Sequence, residues 1–258
     1  MNLKKQYIKN MEINKKFVVI ILAAGVGKRM DSNISKVLHK IAREPMILKT
    51  LKNFTQINPS QIIIVANPNN LKDLKKIINQ KIVFAIQKKP TGTADAVKAG
   101  LVKVAKNIST LMIVNGDDSA FYKPETLKRV INDHINKNCV QSITTLTINN
   151  PTGLGRIVRK NNEIIDIVEE KDAKLDQINI HEINTGLYVF EKNHLEKFLK
   201  KVTPSPVTGE KYLVDVIKLS VKENIRVGSF NLQSEQEWHG INTPEELLAA
   251  NVKYAKKL

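Results

Sequence analysis

The chain contains little cysteine, few aromatic residues and no long hydrophobic run. Cys139 is the only cysteine among 258 residues, so an internal disulfide is excluded. No apolar stretch reaches the ~18 residues needed to cross a bilayer. The short apolar run after Lys15 and Lys16 is ended by Gly27-Lys28-Arg29, and no small-residue cleavage motif follows, so a signal peptide is not expected. We therefore predict a cytoplasmic protein without membrane insertion.

Arginine is also scarce, although basic residues are abundant. Lys and Arg total 41 against 25 Asp and Glu, which gives a formal net charge of +16. Proteins that read bases or stack single strands rely on arginine and aromatic side chains, and aromatics are only 5% of this chain. No nucleic-acid-binding motif is visible. We therefore do not expect a nucleic acid as a partner. A basic nucleic-acid-binding module stays open as an alternative, which predicts steeply salt-dependent affinity.

Short apolar runs alternate with helical periods through the first half of the chain. Runs at residues 17–21, 62–65, 81–86 and 111–114 are typical of buried strands, and amphipathic stripes follow them. This alternation predicts an α/β fold with a mostly parallel central sheet and helices on both faces. After about Val140 strand-like segments dominate, at residues 142–148, 156–159, 164–168 and 185–190, which predicts a smaller α+β lobe.

The end of the chain carries a clear helix-start signal. Thr243, Pro244 and Glu246 supply an N-cap, a first-turn proline and a capping-box glutamate. We therefore divide the chain into a basic N-terminal extension (1–15), one main domain (16–242) and a C-terminal helix (243–258).

Residues 22–30, here called the glycine loop, follow the first predicted strand. Its glycines allow backbone N–H groups to approach an anion, and Lys28, Arg29 and the downstream Lys36 supply positive charge. The loop is neither a Walker A motif nor a dinucleotide fingerprint, because Gly-Lys-Ser/Thr is missing and Met30 replaces the third glycine. The loop therefore predicts polyphosphate binding.

Further polar segments fall where other loops are expected. In open α/β sheets ligands bind beyond the carboxyl ends of the strands, which places the loops after Leu22, Ile86 and Val114 near one another. The segments are residues 87–93, 115–118, 151–158, 167–173, 182–186 and 240–243.

With these segments in view, the chain resembles the bacterial N-acetylglucosamine-1-phosphate uridylyltransferases, within the wider nucleotide-sugar pyrophosphorylase family. The resemblance covers residues 16–250 in unbroken order, and the motifs P-T-G-x-G-R-I-V-R, I-V-E-E-K-D-A and E-I-N-T-G are its most specific part. It implies a Rossmann-like nucleotidyltransferase fold. It also implies Mg²⁺-dependent transfer of a uridylyl group from UTP to N-acetylglucosamine 1-phosphate, giving UDP-N-acetylglucosamine and pyrophosphate.

The resemblance also implies roles for individual residues. Arg29 and Lys36 would be the catalytic cations, and Asp117 and Asn242 would hold Mg²⁺. The implied nucleotide-binding residues are Leu22, Ala23, Ala24, Gly25, Gln87, Gly92 and Thr93. The implied sugar-binding residues are Asn115, Gly116, Gly155, Glu169 and Asn184. Elementary chemistry agrees, because phosphoryl-type transfer needs positioning and charge stabilisation and Mg²⁺ prefers oxygen ligands.

The sequence departs from the family pattern near the predicted phosphate-binding cations and near the predicted sugar-binding residues. Val26 replaces a lysine, and Ser35 replaces the proline that precedes the catalytic lysine. Asn115 replaces a tyrosine near the sugar, and Asp118 replaces a hydrophobic residue. Asp118 is also an alternative metal ligand, so the sugar preference and the choice of carboxylate both stay open.

Hexapeptide repeats of a left-handed β-helix do not occur in this sequence. We therefore expect no acetyltransferase activity, and a monomer or dimer rather than a β-helix trimer. Two alternatives to the uridylyltransferase remain. One is a nucleotidyltransferase for another sugar 1-phosphate, and the other is a non-catalytic nucleotide-sugar-binding protein.

Overall fold

The structure is a computed structural model that describes residues 13, 15–32 and 34–255. Most of the predicted extension at residues 1–15, and residues 256–258 of the predicted C-terminal helix, lie outside the described residues. Among the described residues, no helix is both long enough and apolar enough to span a membrane.

A nine-stranded sheet forms the centre of the molecule. The described residues form eleven strands, nine of them in this sheet and two, β2 and β3, in a separate pair. They are β1 Phe17–Leu22, β2 Lys40–Ile41, β3 Glu44–Pro45, β4 Gln61–Ala66, β5 Val83–Ile86, β6 Thr110–Asn115, β7 Gln141–Thr147, β8 Arg156–Lys160, β9 Glu163–Val168, β10 Glu182–Glu191 and β11 Gly228–Asn231. The main order is β11-β7-β10-β6-β1-β4-β5, while β8 and β9 form a hairpin beside β10 and β2 pairs only with β3. The four strands β6, β1, β4 and β5 are parallel, and β10 runs antiparallel to β6 and β7. The predicted α/β class with a mostly parallel sheet is confirmed.

Helices cover both faces of the sheet. They are α1 Met46–Thr55, α2 Leu71–Ile77, α3 Thr93–Leu101, α4 Pro124–Asn136, α5 Leu175–Ile178, α6 Lys192–Leu199, α7 Val214–Lys222 and α8 Pro244–Ala255. Alternate side chains of β1 enter different apolar clusters, with Val18 and Ile20 on the α3 side and Val19 and Ile21 on the α1 side. A strand buried on both faces needs apolar residues at every position, which explains the unbroken run at its core.

The strand order brings the ends of distant segments together. β1 and β6 are neighbours in register, so that Leu22 lies beside Asn115 where both strands end. The end of β5 lies on the same side, because β5 is parallel to β4 and β4 to β1. The loops after these three strands therefore meet at one edge of the sheet.

The start of α8 is held by the predicted capping box. The Glu246 amide donates to Thr243 Oγ1 (3.2 Å), and the Thr243 amide donates to Glu246 Oε2 (3.1 Å). The same carboxylate accepts a hydrogen bond from the amide of Asn242. The cap therefore fixes the backbone at Asn242 as well as the helix start.

A polar network away from this edge stabilises β10. Glu191 accepts hydrogen bonds from Lys15 Nζ and Thr110 Oγ1, each 2.8 Å long, and His134 Nε2 lies 3.6 Å away. Burial by itself would raise the pKa of Glu191, but His134, Lys15 and Thr110 outweigh it and lower the pKa to about 2. The carboxylate therefore stabilises the fold whenever it is ionised.

We expect Glu191→Gln to melt below wild type at pH 7. Because the folded pKa is depressed, the contribution is present above the ordinary value of 4.5 and is lost as pH falls towards about 2. Thermal unfolding at a series of pH values should thus show the two melting curves converging across that window. Glu196→Gln, at a half-exposed carboxylate 4.0 Å from Lys192, should match wild type throughout. A constant gap between Glu191→Gln and wild type at every pH would contradict the prediction.

Candidate functional site

A cavity of about 510 Å³ opens at the edge where β1, β5 and β6 end. Nearly all of the residues proposed for the site from sequence line it. They are Leu22, Ala23, Ala24, Gly25, Arg29, Lys36, Gln87, Gly92, Thr93, Asn115, Asp117, Gly155, Glu169, Asn184 and Asn242.

Gly116 lies beneath the cavity rather than in its lining. Its amide donates to the carbonyl of Leu22 (2.9 Å), and a Cβ added there would lie 3.2 Å from that oxygen. Gly116 therefore lets the chain after β6 pass close under the start of the glycine loop. The predicted sugar contact of Gly116 remains a prediction.

Two cations and two oxygen-bearing side chains meet on one wall of the cavity. The buried ammonium of Lys36 donates to Asp117 Oδ2 and, at 2.8 Å, to Asn242 Oδ1. The guanidinium of Arg29 also donates to Asn242 Oδ1 (2.9 Å). Side chains from three separate parts of the chain thus form one charged cluster.

The glycine loop packs directly on the lysine of this cluster. Gly27 has φ +68°, and a Cβ there would lie 2.9 Å from the Cβ of Lys36. Any side chain at Gly27 would therefore displace Lys36. Gly25, in contrast, has open space around it, which leaves its backbone accessible from the cavity. The side chain of Lys28 lies outside the described residues.

The donor set on this wall fits a divalent cation. Carboxylate and amide oxygens of Asp117 and Asn242 already converge on one positive charge, the Lys36 ammonium. Among the described residues, no group of three or more His, Cys, Asp or Glu could hold a metal ion. A site with two protein oxygens suits an ion such as Mg²⁺, which keeps waters and takes substrate phosphates as its other ligands.

The carboxylate next in sequence is held differently. Asp118 Oδ2 accepts a hydrogen bond from Asn115 Nδ2 (3.1 Å), and its buried Oδ1 has no hydrogen-bond partner among the residues that the structure describes. Burial, followed by the neighbouring charge of Asp117, raises the pKa of Asp118 well above its ordinary value. Asp118 is therefore hydrogen-bonded to Asn115, whereas Asp117 accepts a hydrogen bond from the Lys36 ammonium.

A second region of the cavity is built from the loop before α3. Gln87 is buried, and its Nε2 donates to the carbonyl of Gly92 (2.9 Å). Lys211 joins this loop through backbone hydrogen bonds, from its amide to Thr91 and from the Ala94 amide to its own carbonyl, both 2.9 Å long. The segment around Lys211 therefore supports the loop that carries the predicted nucleotide-binding residues Gln87, Gly92 and Thr93.

Gly92 is required where these two segments meet. Its φ of +109° is a conformation that side chains rarely adopt, and a Cβ would lie 2.6 Å from the Lys211 nitrogen. We expect Gly92→Ala to destabilise the protein by roughly 2–4 kcal/mol, because backbone strain and a steric clash add together. Thermal and denaturant unfolding measure this loss.

Gly209→Ala is the matched control for that substitution. Gly209 also has a positive φ, +71°, but a Cβ there would meet no atom within 4 Å. This variant should lose only about 1 kcal/mol from backbone strain. Equal losses at the two positions would show that the contact with Lys211 is not what requires a glycine.

The third region contains the predicted sugar-binding side chains. A Cβ at Gly155 would lie 3.3 Å from Glu169 Oε1, so the glycine lets this carboxylate approach the backbone. Burial raises the pKa of Glu169. The neighbouring Glu170 accepts 2.7 Å hydrogen bonds from the buried Arg156 and from the amide of Gly153, which ties the two loops together.

Asn184 is held by an irregularity in β10. The register of β10 against β7 shifts between Asn184 and Tyr188, and Gly186 adopts φ +75°. Asn184 Oδ1 accepts a hydrogen bond from the Gly186 amide (2.9 Å), and its Nδ2 donates to the Tyr188 hydroxyl (2.7 Å). The bulge thereby aims both side chains at the cavity.

Sequence reasoning missed several lining residues. Tyr188 and Trp238 line the cavity, and the Trp238 indole donates to the Thr185 carbonyl (2.9 Å). Tyr188 stands two positions after the E-I-N-T-G motif and on the same face of β10 as Asn184. That spacing is a signal that could have identified Tyr188 as a lining residue. Glu210 and Tyr212 also line the cavity. Their position at the cavity depends on backbone pairing between Lys211 and residues 91–94.

A family model and two relatives among known proteins match nearly all of this chain. The sequence profile of the family described as "Nucleotidyl transferase" matches residues 18–257. The chain is 34% identical over 243 residues to the "Probable UDP-N-acetylglucosamine pyrophosphorylase" of Acanthamoeba polyphaga mimivirus, which covers 91% of this chain and 95% of that protein. It is 33% identical over 242 residues to the "Bifunctional protein GlmU" of Thermoanaerobacter pseudethanolicus.

The GlmU match covers 93% of this chain and 52% of that protein, so the chain spans about half the length of this relative. Among solved structures, UDP-glucose pyrophosphorylase complexed with UDP-glucose matches with a TM-score of 0.77 and 18% identity. That match covers 94% of this chain and 100% of the other. At this identity the likeness concerns the fold alone.

Proposed function

Because the chain belongs to the nucleotidyl transferase family, we propose that it transfers a uridylyl group from UTP to N-acetylglucosamine 1-phosphate. The products are UDP-N-acetylglucosamine and pyrophosphate. The observation that carries the proposal is the convergence of Lys36, Arg29, Asp117 and Asn242 on one wall of a cavity. Similarity to a probable UDP-N-acetylglucosamine pyrophosphorylase along nearly its whole length supports the choice of substrates.

The reaction needs charge stabilisation more than covalent catalysis. A phosphate oxygen of the sugar 1-phosphate attacks the α-phosphorus of UTP, and the bond from this phosphorus to the oxygen of the leaving pyrophosphate breaks. Lys36 and Arg29, which line the cavity, would stabilise negative charge on the triphosphate. No side chain has to act as a nucleophile.

Enzymes of this family typically use a divalent metal ion, and we propose Mg²⁺ for this chain. Asp117 and Asn242 would hold it, and a bound ion would neutralise charge on the phosphates. The remaining substrate contacts are assigned by region. Gln87, Gly92 and Thr93 would bind the uracil and ribose, and Glu169 and Asn184 would bind the sugar. The cytoplasmic location and the monomeric or dimeric state remain predictions.

Transfer to a different sugar 1-phosphate is a second candidate, which a specific observation favours. Asn115 and Asp118 both line the cavity and are joined by a hydrogen bond. A polar pair at this position changes the groups that a sugar would meet.

A coupled pyrophosphate-release assay tests both candidates. Purified protein and Mg²⁺ are combined with each of UTP, CTP, GTP and dTTP and a panel of hexose and hexosamine 1-phosphates. We expect the highest kcat/KM with UTP and N-acetylglucosamine 1-phosphate. Higher kcat/KM with another sugar would favour the second candidate, and no turnover with any pair would refute both. UDP-sugar binding without turnover would indicate a non-catalytic binding protein.

A further inference from the structure

We propose that Asn70 is a positioning residue for Lys36, acting through Ser35. The inference rests on the proposed function, because it concerns the cation on which that function depends. Asn70 does not line the cavity. It joins the turn after β4 to the two segments that carry the glycine loop and the catalytic lysine.

Asn70 is buried, with 3% of its surface exposed, and both the nitrogen and the oxygen of its side-chain amide are hydrogen-bonded. Its Nδ2 donates to the carbonyl of Ala23 (2.8 Å) and to Ser35 Oγ (2.9 Å). Its Oδ1 accepts a hydrogen bond from the amide of Asn67 (3.0 Å). One amide therefore links the glycine loop, the residue before Lys36 and the turn after β4.

Asn67 makes this turn a rigid support. Its Oδ1 accepts hydrogen bonds from the amides of Asn69 and Asn70, both 2.9 Å long, and its Nδ2 donates to the carbonyl of Ala24 (2.9 Å). Such side-chain turns restrict the backbone locally. Because the turn connects β4 to α2, the hydrogen bonds from Asn67 and Asn70 tie the glycine loop to the central sheet.

The backbone position of Ser35 determines the position of the Lys36 backbone, from which the lysine side chain extends. The carbonyl of Ser35 accepts a hydrogen bond from the Leu38 amide (2.8 Å), which closes a short turn at residues 36–38, while its hydroxyl meets Asn70. Both oxygens of Ser35 are thus held. Lys36 must place its ammonium between Asp117 and Asn242, and displacing a catalytic group by about 1 Å can cost ~10²-fold in rate.

The backbone of Ser35 offers a specific rescue. Its φ of −53° and ψ of 134° fall within the range that proline adopts. Ser35→Pro would restrict the same backbone without a hydroxyl. If Asn70 acts by holding Ser35, a proline should replace that restraint.

The test compares kcat and KM in the uridylyl-transfer assay for four variants: Asn70→Ala, Ser35→Ala, Ser35→Pro and Asn70→Ala/Ser35→Pro. We expect Asn70→Ala to lower kcat by roughly 10-fold to 100-fold with little change in the KM for the sugar 1-phosphate. Ser35→Pro should restore most of that kcat in the double variant. An unchanged kcat in Asn70→Ala, or a kcat that stays low in the double variant, would overturn action through Ser35.

Two controls separate positioning from general destabilisation. Asn251 is another side-chain amide that links two segments, because its Oδ1 accepts a hydrogen bond from the Ala42 amide (2.8 Å) and its Nδ2 donates to the Leu247 carbonyl (2.9 Å). Asn251→Ala should lower the melting temperature without lowering kcat. If Asn70→Ala does not fold, Ser35→Ala decides the question, because it removes only the hydroxyl contact. A full kcat in Ser35→Ala would then count against the proposal.

Failure of the proposed function is distinguishable from failure of this inference. If the wild type transfers no uridylyl group, the proposed function fails, and calorimetric titration with UTP and Mg²⁺ then tests Asn70. Lys36→Ala and Asn70→Ala should weaken UTP binding by similar factors, and Ser35→Pro should restore binding in the Asn70→Ala background. Wild-type UTP affinity in Asn70→Ala would refute the positioning role.

Discussion

Lys36→Ala should lower kcat for nucleotidyl transfer by roughly 10²–10³-fold, because a preorganised charge that stabilises the transition state is usually the largest catalytic contribution. Lys36 is the cation at the centre of the cluster and is 9% exposed, so solvent screens its charge weakly. Steady-state kinetics with UTP and the preferred sugar 1-phosphate measure the effect. The KM for the sugar should change far less than kcat.

Lys49→Ala provides the matched control for this lysine. Lys49 is buried to a similar degree (5% exposed), binds Glu44 at 3.1 Å and lies over the ring of Tyr254. It does not line the cavity. Its removal should lower the melting temperature and leave kcat close to wild type. If the two variants lost activity in proportion to their lost stability, the catalytic role of Lys36 would be refuted.

Asp117→Asn should reduce activity by at least ~10²-fold at ordinary Mg²⁺ concentrations, because it removes the negative charge from a two-oxygen metal site. The amide has nearly the same shape as the carboxylate and retains an oxygen towards Lys36. The fold should therefore survive the change. The measurement is initial rate against Mg²⁺ concentration, and the concentration giving half-maximal rate should rise steeply in the variant.

Asp118→Asn distinguishes the two adjacent carboxylates. Because Asp118 is hydrogen-bonded to Asn115 rather than to Lys36, this variant should keep the wild-type Mg²⁺ dependence and change mainly the KM for the sugar 1-phosphate. The opposite pattern, in which the half-maximal Mg²⁺ concentration rises in Asp118→Asn and not in Asp117→Asn, would transfer the metal site to Asp118.

Features that depend on neighbours in the chain were predictable. The apolar run of β1 indicates a strand buried on both faces, and the alternation of strands with amphipathic stripes indicates a parallel sheet. The capping box at Thr243 and Glu246 is present as predicted. Each of these signals depends on hydrophobic periodicity or on hydrogen bonds spanning three or four residues, so sequence alone contains them.

The site was predictable mainly through its motifs. Nearly every site residue proposed from those motifs lines the cavity, but the motifs did not show what each side chain contacts and did not indicate every lining residue. Glu210 and Tyr212 were missed because backbone pairing between Lys211 and Thr91 brings them to the cavity. The bond between Asn115 and Asp118 likewise depends on how the turn after β6 folds.

Strand periodicity and loop chemistry are local properties, so the residues alone indicate the α/β class, the edge of the sheet where ligands would bind and most residues at that edge. Folding was needed to bring Lys36 to both Asp117, 81 residues away, and Asn242, 206 residues away. It also brings Asn70 to Ser35. Contacts over such separations depend on the order and register of the central strands, because sheet packing determines which loops meet.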